Sequence, residues 1–408
     1  MISHNTQTNY QKIILYVTST RADYGLMRDV LKTIDKDPSL NLHILVCGMH
    51  MSASYGNSIE DIRNDGFNIV NGIDTLINTG TSSGMAQSIG LTICKLSEVF
   101  QNMRPDVILL EGDRGEALAA AIVGSHMNIP IAHVSGGDVT GGMIDESIRH
   151  SITKFAHLHF PGTDLSASRI LSMGEQPSKV HMVGTPGANV NRESHLTREE
   201  ISDKLNLNLS EKLLLVIQHP VTNQIAESAT QMKNTMEAIR ELTMETVIIK
   251  PNSDAGSTEM SRIIDEYSGL SFIHIFENLP RDLFIGVLCM TDVIIGNSSC
   301  GITEAPGFGV PAINIGTRQE GREKGNNVVD IHSDTQTIII TVKQLLTLQN
   351  DPIHRKNWFI SPYLDTNASS QICTILKELH IGPDLLNKQF NDHTLQIIKT
   401  SQSGHGNK

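Results

Sequence analysis

Residues 291–322 read TDVIIGNSSCGITEAPGFGVPAINIGTRQEGR. A short apolar run, Val293 to Ile295, is bounded by Asp292 and Gly296 and gives way to Asn297-Ser298-Ser299 and a small-residue segment. The pattern predicts a buried strand that runs into a helix N-terminus. The first turn of such a helix carries unpaired N–H groups and the positive end of the dipole, which attract phosphate. Ser298 and Ser299 suit ordinary capping and also carry hydroxyls that can donate to a phosphate oxygen. Glu304 falls a turn later, where a carboxylate can accept from a pair of sugar hydroxyls. Pro306 lies early in the helix and predicts that it is short or kinked. A second apolar run, Pro311 to Ile315, delivers Gly316-Thr317-Arg318, with Arg322 close behind. Two cations thus reach the end of a neighbouring strand, where ligands of open α/β sheets bind. Taken together, the stretch reads as a nucleotide diphosphate site.

Outward from this stretch, the chain alternates short β-branched runs with longer amphipathic segments from Lys12 onward, the mark of βα units on a mostly parallel sheet. Strands are expected at Ile13 to Val17, His43 to Cys47, Asp106 to Leu110, Ile129 to Val134 and His157 to Phe160. Their ends carry Arg21, Gly48-Met49-His50, Glu111-Gly112-Asp113-Arg114 and Ser135-Gly136-Gly137-Asp138, and Asp145 opens a further helix. At Val183-Gly184-Thr185-Pro186-Gly187-Ala188-Asn189 the composition shifts to a linker-like run. A second series then starts with Leu213 to Ile217 and Gln218-His219-Pro220, followed by Val247 to Lys250, Pro251-Asn252-Ser253-Asp254 and Phe272 to Phe276. The reading is two doubly wound, Rossmann-like domains facing across a cleft, residues 1–185 and 186–360. Residues 361–382 form a helix returning to the first domain, and a tail at 383–408 is expected to be disordered at its end, SGHGNK.

Composition narrows the function. The 408 residues carry a formal charge of −12 with a pI near 5.8, which excludes nucleic acid as the main partner. No apolar run approaches the ~20 residues of a membrane span, and the polar opening lacks a signal-peptide core, so a cytoplasmic protein is expected. The five cysteines are scattered without CxxC pairs and read as reduced thiols. Among them Cys300 would have a lowered pKa if exposed at a helix N-terminus. His157 and His159 form an HxH pair, but no neighbouring carboxylate or cysteine in sequence completes a metal set, so no metal and no cofactor are expected.

With these motifs in hand, the chain resembles the hydrolysing UDP-N-acetylglucosamine 2-epimerases of sialic-acid-type sugar biosynthesis, whose fold is GT-B-like. The matching blocks are TSTRADYG at 18–25, CGMHMSASYGN at 47–57, EGDRGE at 111–116, SGGDVTGGMIDESIRH at 135–150, QHPVTN at 218–223, KPNSDAGS at 250–257, GNSSCG at 296–301 and GTRQEGRE at 316–323. The resemblance implies that Ser298 and Ser299 hold the diphosphate of a UDP-sugar, Glu304 the ribose, and His219 and Arg318 the phosphates. It places Asn252 and Asp254 near the nucleotide or sugar, adds Arg21 and Arg114 from the first domain, and sets His50 near the sugar. Some family members carry Ser where this chain has Gly25, Glu where it has Asp138, and His where it has Ser135.

The implied reaction has two halves. UDP leaves C1 as the C2 proton is removed, giving a 2-acetamidoglucal, and water then adds so that C2 emerges inverted. Departure of UDP must run ahead to acidify C2–H, so the site needs a base and cations on the leaving diphosphate. Asp113 is the first candidate for the base or for the carboxylate that stabilises C1, Asp145 the second, and Asp138 the third, with His219 counted among the catalytic residues as well as the phosphate ligands. Each also has a plainer reading: Asp145 as a helix cap, Asp113 as an ion-pair partner of Arg114 or Arg149, His219 as a satisfied strand-end histidine. The expected substrate is UDP-N-acetylglucosamine, giving N-acetylmannosamine; the alternative is UDP-N,N′-diacetylbacillosamine, with Gly115 and Ser135 small enough to leave extra room. A GT-B glycosyltransferase and a sugar-nucleotide sensor are competing readings. A homo-oligomer is implied by the resemblance alone.

Overall fold

The computed structural model describes residues 11–141, 143–188, 196–208, 212–363 and 367–392. Six strands, β1 (Lys12–Thr18), β2 (Leu40–Val46), β3 (Ile69–Gly72), β4 (Val107–Glu111), β5 (Ile131–Val134) and β6 (Leu158–Phe160), form one sheet in the order β3-β2-β1-β4-β5-β6. Six more, β7 (Leu213–Ile217), β8 (Glu245–Ile249), β9 (Ile273–Phe276), β10 (Val293–Gly296), β11 (Ala312–Ile315) and β12 (Val328–Ile331), form a second in the order β12-β11-β10-β7-β8-β9. Every strand pairing is parallel. Numbered within each half, both sheets run 3-2-1-4-5-6, the doubly wound order whose reversal lies between the first and fourth strands. The two reversal points are therefore β1/β4 and β7/β10.

Apolar runs without polar alternation make these strands, because both sheet faces are covered. Along β1, Ile14 and Tyr16 join one core while Leu15 and Val17 join another on the opposite face. In the second sheet Leu214 and Val216 separate from Leu213, Leu215 and Ile217 in the same way. The Ala368–Glu378 helix returns to the first half, where Ala368, Ile372, Cys373 and Leu376 share a core with Val30, Leu31 and Ile34.

Two details depart from the sequence reading. β2 begins at Leu40, opposite Lys12, and stops before Cys47, whose N–H instead closes on the Thr18 carbonyl at 2.9 Å. The stretch between Gly56 and Met85 holds the Ile59–Asn64 helix and β3, neither of which was anticipated. β3 is a four-residue edge strand with one partly buried position, too short to show a period. Asn189 of the expected linker and the tail SGHGNK lie outside the described residues. Among the described residues no helix is long and apolar enough to cross a membrane.

Candidate functional site

The loops that leave the two reversal points face one another across a cleft of about 510 Å³, within the ~300–1,000 Å³ of small-ligand sites. Arg21 follows β1; Glu111, Asp113 and Arg114 close β4; His219 follows β7; Ser298 and Ser299 follow β10. All of them line the cleft, with Asp138, Asp145, Ser135, Asn252, Glu304 and Arg318.

On the second-domain wall, Gly296 ends β10 at φ +139°, and a Cβ there would sit 2.0 Å from the Ile217 carbonyl oxygen. Glycine is thus required where β10 leaves the sheet beside β7. Asn297 then joins the two loops: it accepts from the His219 N–H at 2.7 Å and donates to the His219 carbonyl at 2.9 Å. The Asn252 N–H donates to His219 Nδ1 at 3.2 Å, so Nδ1 is the acceptor and Nε2 carries the proton. Burial, followed by the nearby Arg318, pushes the imidazole down to about 3. His219 is consequently a neutral donor, suited to a phosphate oxygen and unsuited to proton abstraction through Nε2.

The helix after Ser299 is one turn, Cys300–Thr303, broken at Glu304 and resumed as Ala305–Phe308 with Pro306 in its first turn. The helix is short, as expected, with the break at Glu304, two residues before Pro306, and so short a helix attracts anions through its local N–H groups rather than a summed dipole. The Ser299 side chain makes no cap bond, and the Cys300 N–H reaches Ser298 Oγ only at 3.4 Å. Their hydroxyls are not consumed by capping. Cys300 is buried, which pushes its thiol up to about 12, the reverse of what exposure at a helix end would give. Glu304 accepts from Arg281 at 2.6 Å. A Cβ on Gly25 would lie 3.2 Å from the Arg281 side chain, so glycine at this position makes room for that arginine.

The first-domain wall carries the carboxylates. Asp113 is paired with Arg149, the plainer partner considered from sequence. Asp145 lies in the first turn of the Ile144–Phe155 helix, whose cap position is Met143, so Asp145 is not the cap. Burial, then Asp113, pushes Asp145 up to about 6, against the opposing effect of Arg318 at 3.5 Å. Glu111 stands beside Asp113, and burial followed by Asp23 and Asp113 pushes it up to about 8. Groups with such shifts in a cleft are candidates for proton transfer.

Three sequence-derived candidates sit differently from expectation. His50 is fully buried behind the wall, its ring nitrogens 3.0 Å from Thr18 Oγ1 and 2.6 Å from Ser58 Oγ, and so does not reach a sugar. Asp254 is 2% exposed and outside the cleft lining; it accepts from Arg114 at 2.9 Å and Asn252 at 2.6 Å. It ties Arg114 of the first half to the second. Asp138 does border the cleft, but its carboxylate accepts from Ser166 at 2.5 Å and Arg322 at 2.8 Å. A carboxylate so engaged joins the domains more than it is free to move a proton. Gly115 is also reassigned: its Cβ would meet Ile89 at 2.8 Å, so it packs between helices and opens no room for a sugar.

The HxH pair is structural, though a carboxylate does adjoin it. Glu175 lies 3.1 Å from His159 and is shared with Lys154 and Lys388. Among the described residues no three His, Cys, Asp or Glu side chains group to hold a metal. The residues missed from sequence are Glu111, Arg281 and Arg149 as a site member. Glu111 had a signal, its place two residues before Asp113 at a strand end; Arg281 had none, since it meets Glu304 only through the fold.

Two doubly wound domains that meet across a polar cleft define a GT-B-like fold. A family model described as UDP-N-acetylglucosamine 2-epimerase matches residues 32–377. The chain is 37% identical to the UDP-N,N′-diacetylbacillosamine 2-epimerase (hydrolyzing) of Legionella pneumophila, over 92% of this chain and 98% of that one. It is 32% identical to the UDP-N-acetylglucosamine 2-epimerase of Neisseria meningitidis, over 83% and 88%. In fold it is similar to the Neisseria meningitidis UDP-GlcNAc 2-epimerase bound to UDP-GlcNAc, with a TM-score of 0.73 at 18% identity, covering 90% of this chain and 100% of that one. The chain belongs to the UDP-N-acetylglucosamine 2-epimerase family.

Proposed function

We propose that the protein is a hydrolysing UDP-sugar 2-epimerase whose substrate is UDP-N,N′-diacetylbacillosamine, released as UDP and the 2-epimeric free sugar, 2,4-diacetamido-2,4,6-trideoxymannose, for legionaminic-acid-type synthesis. The observation that carries the chemistry is the division of the cleft: neutral His219, Ser298, Ser299 and Arg318 on one wall, Asp113, Asp145 and Glu111 on the other. The first wall meets the charge that develops on the departing diphosphate. On the second, Asp145 and Asp113 serve as base and as stabiliser of C1, as C2–H is lost and UDP leaves.

The substrate rests on the relatives. The one at 37% identity and another at 32%, from Campylobacter jejuni, are both named for diacetylbacillosamine nucleotides. This favours the alternative over UDP-N-acetylglucosamine, the substrate first expected from the sequence. The second reading is supported by the Neisseria relative at 32% named for UDP-N-acetylglucosamine and by more distant relatives of that name at 22–24% identity. A homo-oligomer belongs to the same reading, and light scattering on the purified protein tests it.

The deciding experiment is proton NMR of the protein with each nucleotide in deuterated water. Free UDP with a C2-deuterated, manno-configured sugar, formed faster from the diacetylbacillosamine nucleotide, is expected. Faster turnover of UDP-N-acetylglucosamine reverses the substrate assignment, and intact nucleotide in both tubes removes the hydrolysing activity.

A further inference from the structure

Glu111 is the last residue of β4, at the reversal point of the first sheet, and its exposed edge lines the cleft. The register sets Val134 beside it, and the next residue, Ser135, brings its hydroxyl near the Glu111 carboxyl. Ser135 does this at φ +60°, in the left-handed region that serine seldom occupies. The charged and titratable groups that face Glu111 are Tyr16 on β1, Asp23 in the Arg21–Asp35 helix, Asp113 beyond β4 and Arg149 in the Ile144–Phe155 helix. Arg149 is committed to Asp113 and to the Asp138 carbonyl, and Glu111 has no ion pair among the described residues. Two carboxylates and a hydroxyl, without a paired cation, surround a carboxyl that opens on the cleft. Burial, then Asp23 and Asp113, pushes the carboxyl up to about 8 against the opposing Ser135 hydroxyl and Arg149, which leaves it protonated at neutral pH.

The proposed reaction requires a group of this kind. Because C2 inverts, the proton lost from one face must be replaced on the other, and the base that took the first proton is on the wrong side to return it. We infer that Glu111 is the catalytic acid of the second half-reaction, delivering its proton to C2 of the glucal intermediate; the inference rests on the hydrolysing-epimerase reading. The Glu111 O–H bond breaks, and the C1–C2 π pair forms the new C2–H bond. C1 is left as an oxocarbenium ion, and the oxygen of water closes on it. The proton shed by that water returns to the Glu111 carboxylate. The proton removed from C2 in the first half leaves its base for solvent, which accounts for the single proton released with UDP. Ser135 is a positioning residue that fixes the carboxyl and tunes its acidity.

The test is single-turnover NMR of wild type and Glu111→Gln, which keeps the shape and loses the acid. Free sugar formation is expected to fall by ~10²–10⁴-fold, the usual worth of a general acid. UDP release should persist, and the glucal should accumulate, seen by its C1 vinyl proton. Sugar formed at the wild-type rate, or UDP and sugar slowed together with no glucal, overturns the assignment. Wild type that releases no UDP from either nucleotide defeats the epimerase reading itself, and the Glu111 role with it. Should Glu111→Gln fail to fold by circular dichroism, Ser135→Gly suits the local backbone and removes the hydroxyl that favours the ionised carboxylate. The alkaline limb of sugar formation, near pH 8 in wild type, should then move upward, and an unmoved limb overturns the role.

Discussion

The two walls of the cleft are built alike and charged differently. Both are built mainly from loops leaving the first and fourth strands of a doubly wound sheet, yet the second-domain wall sets His219, Ser298, Ser299 and Arg318 together as donors, while the first-domain wall sets Glu111, Asp113 and Asp145 beside Arg21 and Arg114. On the second wall burial drives His219 to its uncharged form, while on the first it drives Asp145 and Glu111 toward theirs. One physical cause, desolvation, makes a base into a neutral donor on one side and raises two acids toward neutral pH on the other. A single sugar nucleotide spanning the cleft would therefore have its leaving group handled by one domain and its protons by the other.

The sharpest way to break this division is Asp113→Asn. Turnover should fall by ~10²–10⁴-fold while UDP affinity, measured by calorimetry, stays nearly unchanged, because the change acts on the transition state. Retention of more than about a tenth of the rate would remove Asp113 from both of its candidate roles, base and stabiliser of C1. His219→Ala probes the opposite wall. Loss of a donor to a charged phosphate, ~1.5–3 kcal/mol, should weaken UDP binding by ~10–100-fold. In wild type that binding should show no His219 titration between pH 5 and 8, since the imidazole is already neutral there. A binding step near pH 6.5 lost in His219→Ala would contradict the neutral donor.

The acid side is sharpened by pH. Asp145 must be ionised to act as a base, and its carboxyl is raised to about 6. Below that pH kcat/KM should drop by about tenfold per unit, as protonation removes the competent form. An acid limb that starts only near the ordinary aspartate value would place the base elsewhere. The smallest effect expected is from Gly115→Ala, whose new Cβ meets Ile89 at 2.8 Å. Overpacking should cost ~1–3 kcal/mol of stability in denaturant unfolding. Preference between the two nucleotides should not change, and a changed preference would return Gly115 to the sugar pocket.

The sequence by itself determined the fold class. Uniform apolar runs such as Leu213 to Ile217, alternating with amphipathic segments, cannot settle except as buried parallel strands between helices, and polar residues at their ends then fall at the edge where ligands bind. By that logic Asp113, Arg114, His219, Ser298 and Arg318 belong at one cleft from their positions in the chain alone. Only the tertiary structure decided what each of them can do. His50 and Asp254 stand in the same kinds of turn as Arg21 and Asn252, yet they are buried against Thr18, Ser58 and Arg114. Asp138 is held by Arg322, 184 positions away, and Arg281 reaches Glu304 across a strand and a helix. Glu111 looks like any strand-end glutamate until Asp23, Asp113 and Ser135 close around it. Position along a strand is local and therefore written in the chain, whereas desolvation and charge pairing depend on neighbours that only folding brings together.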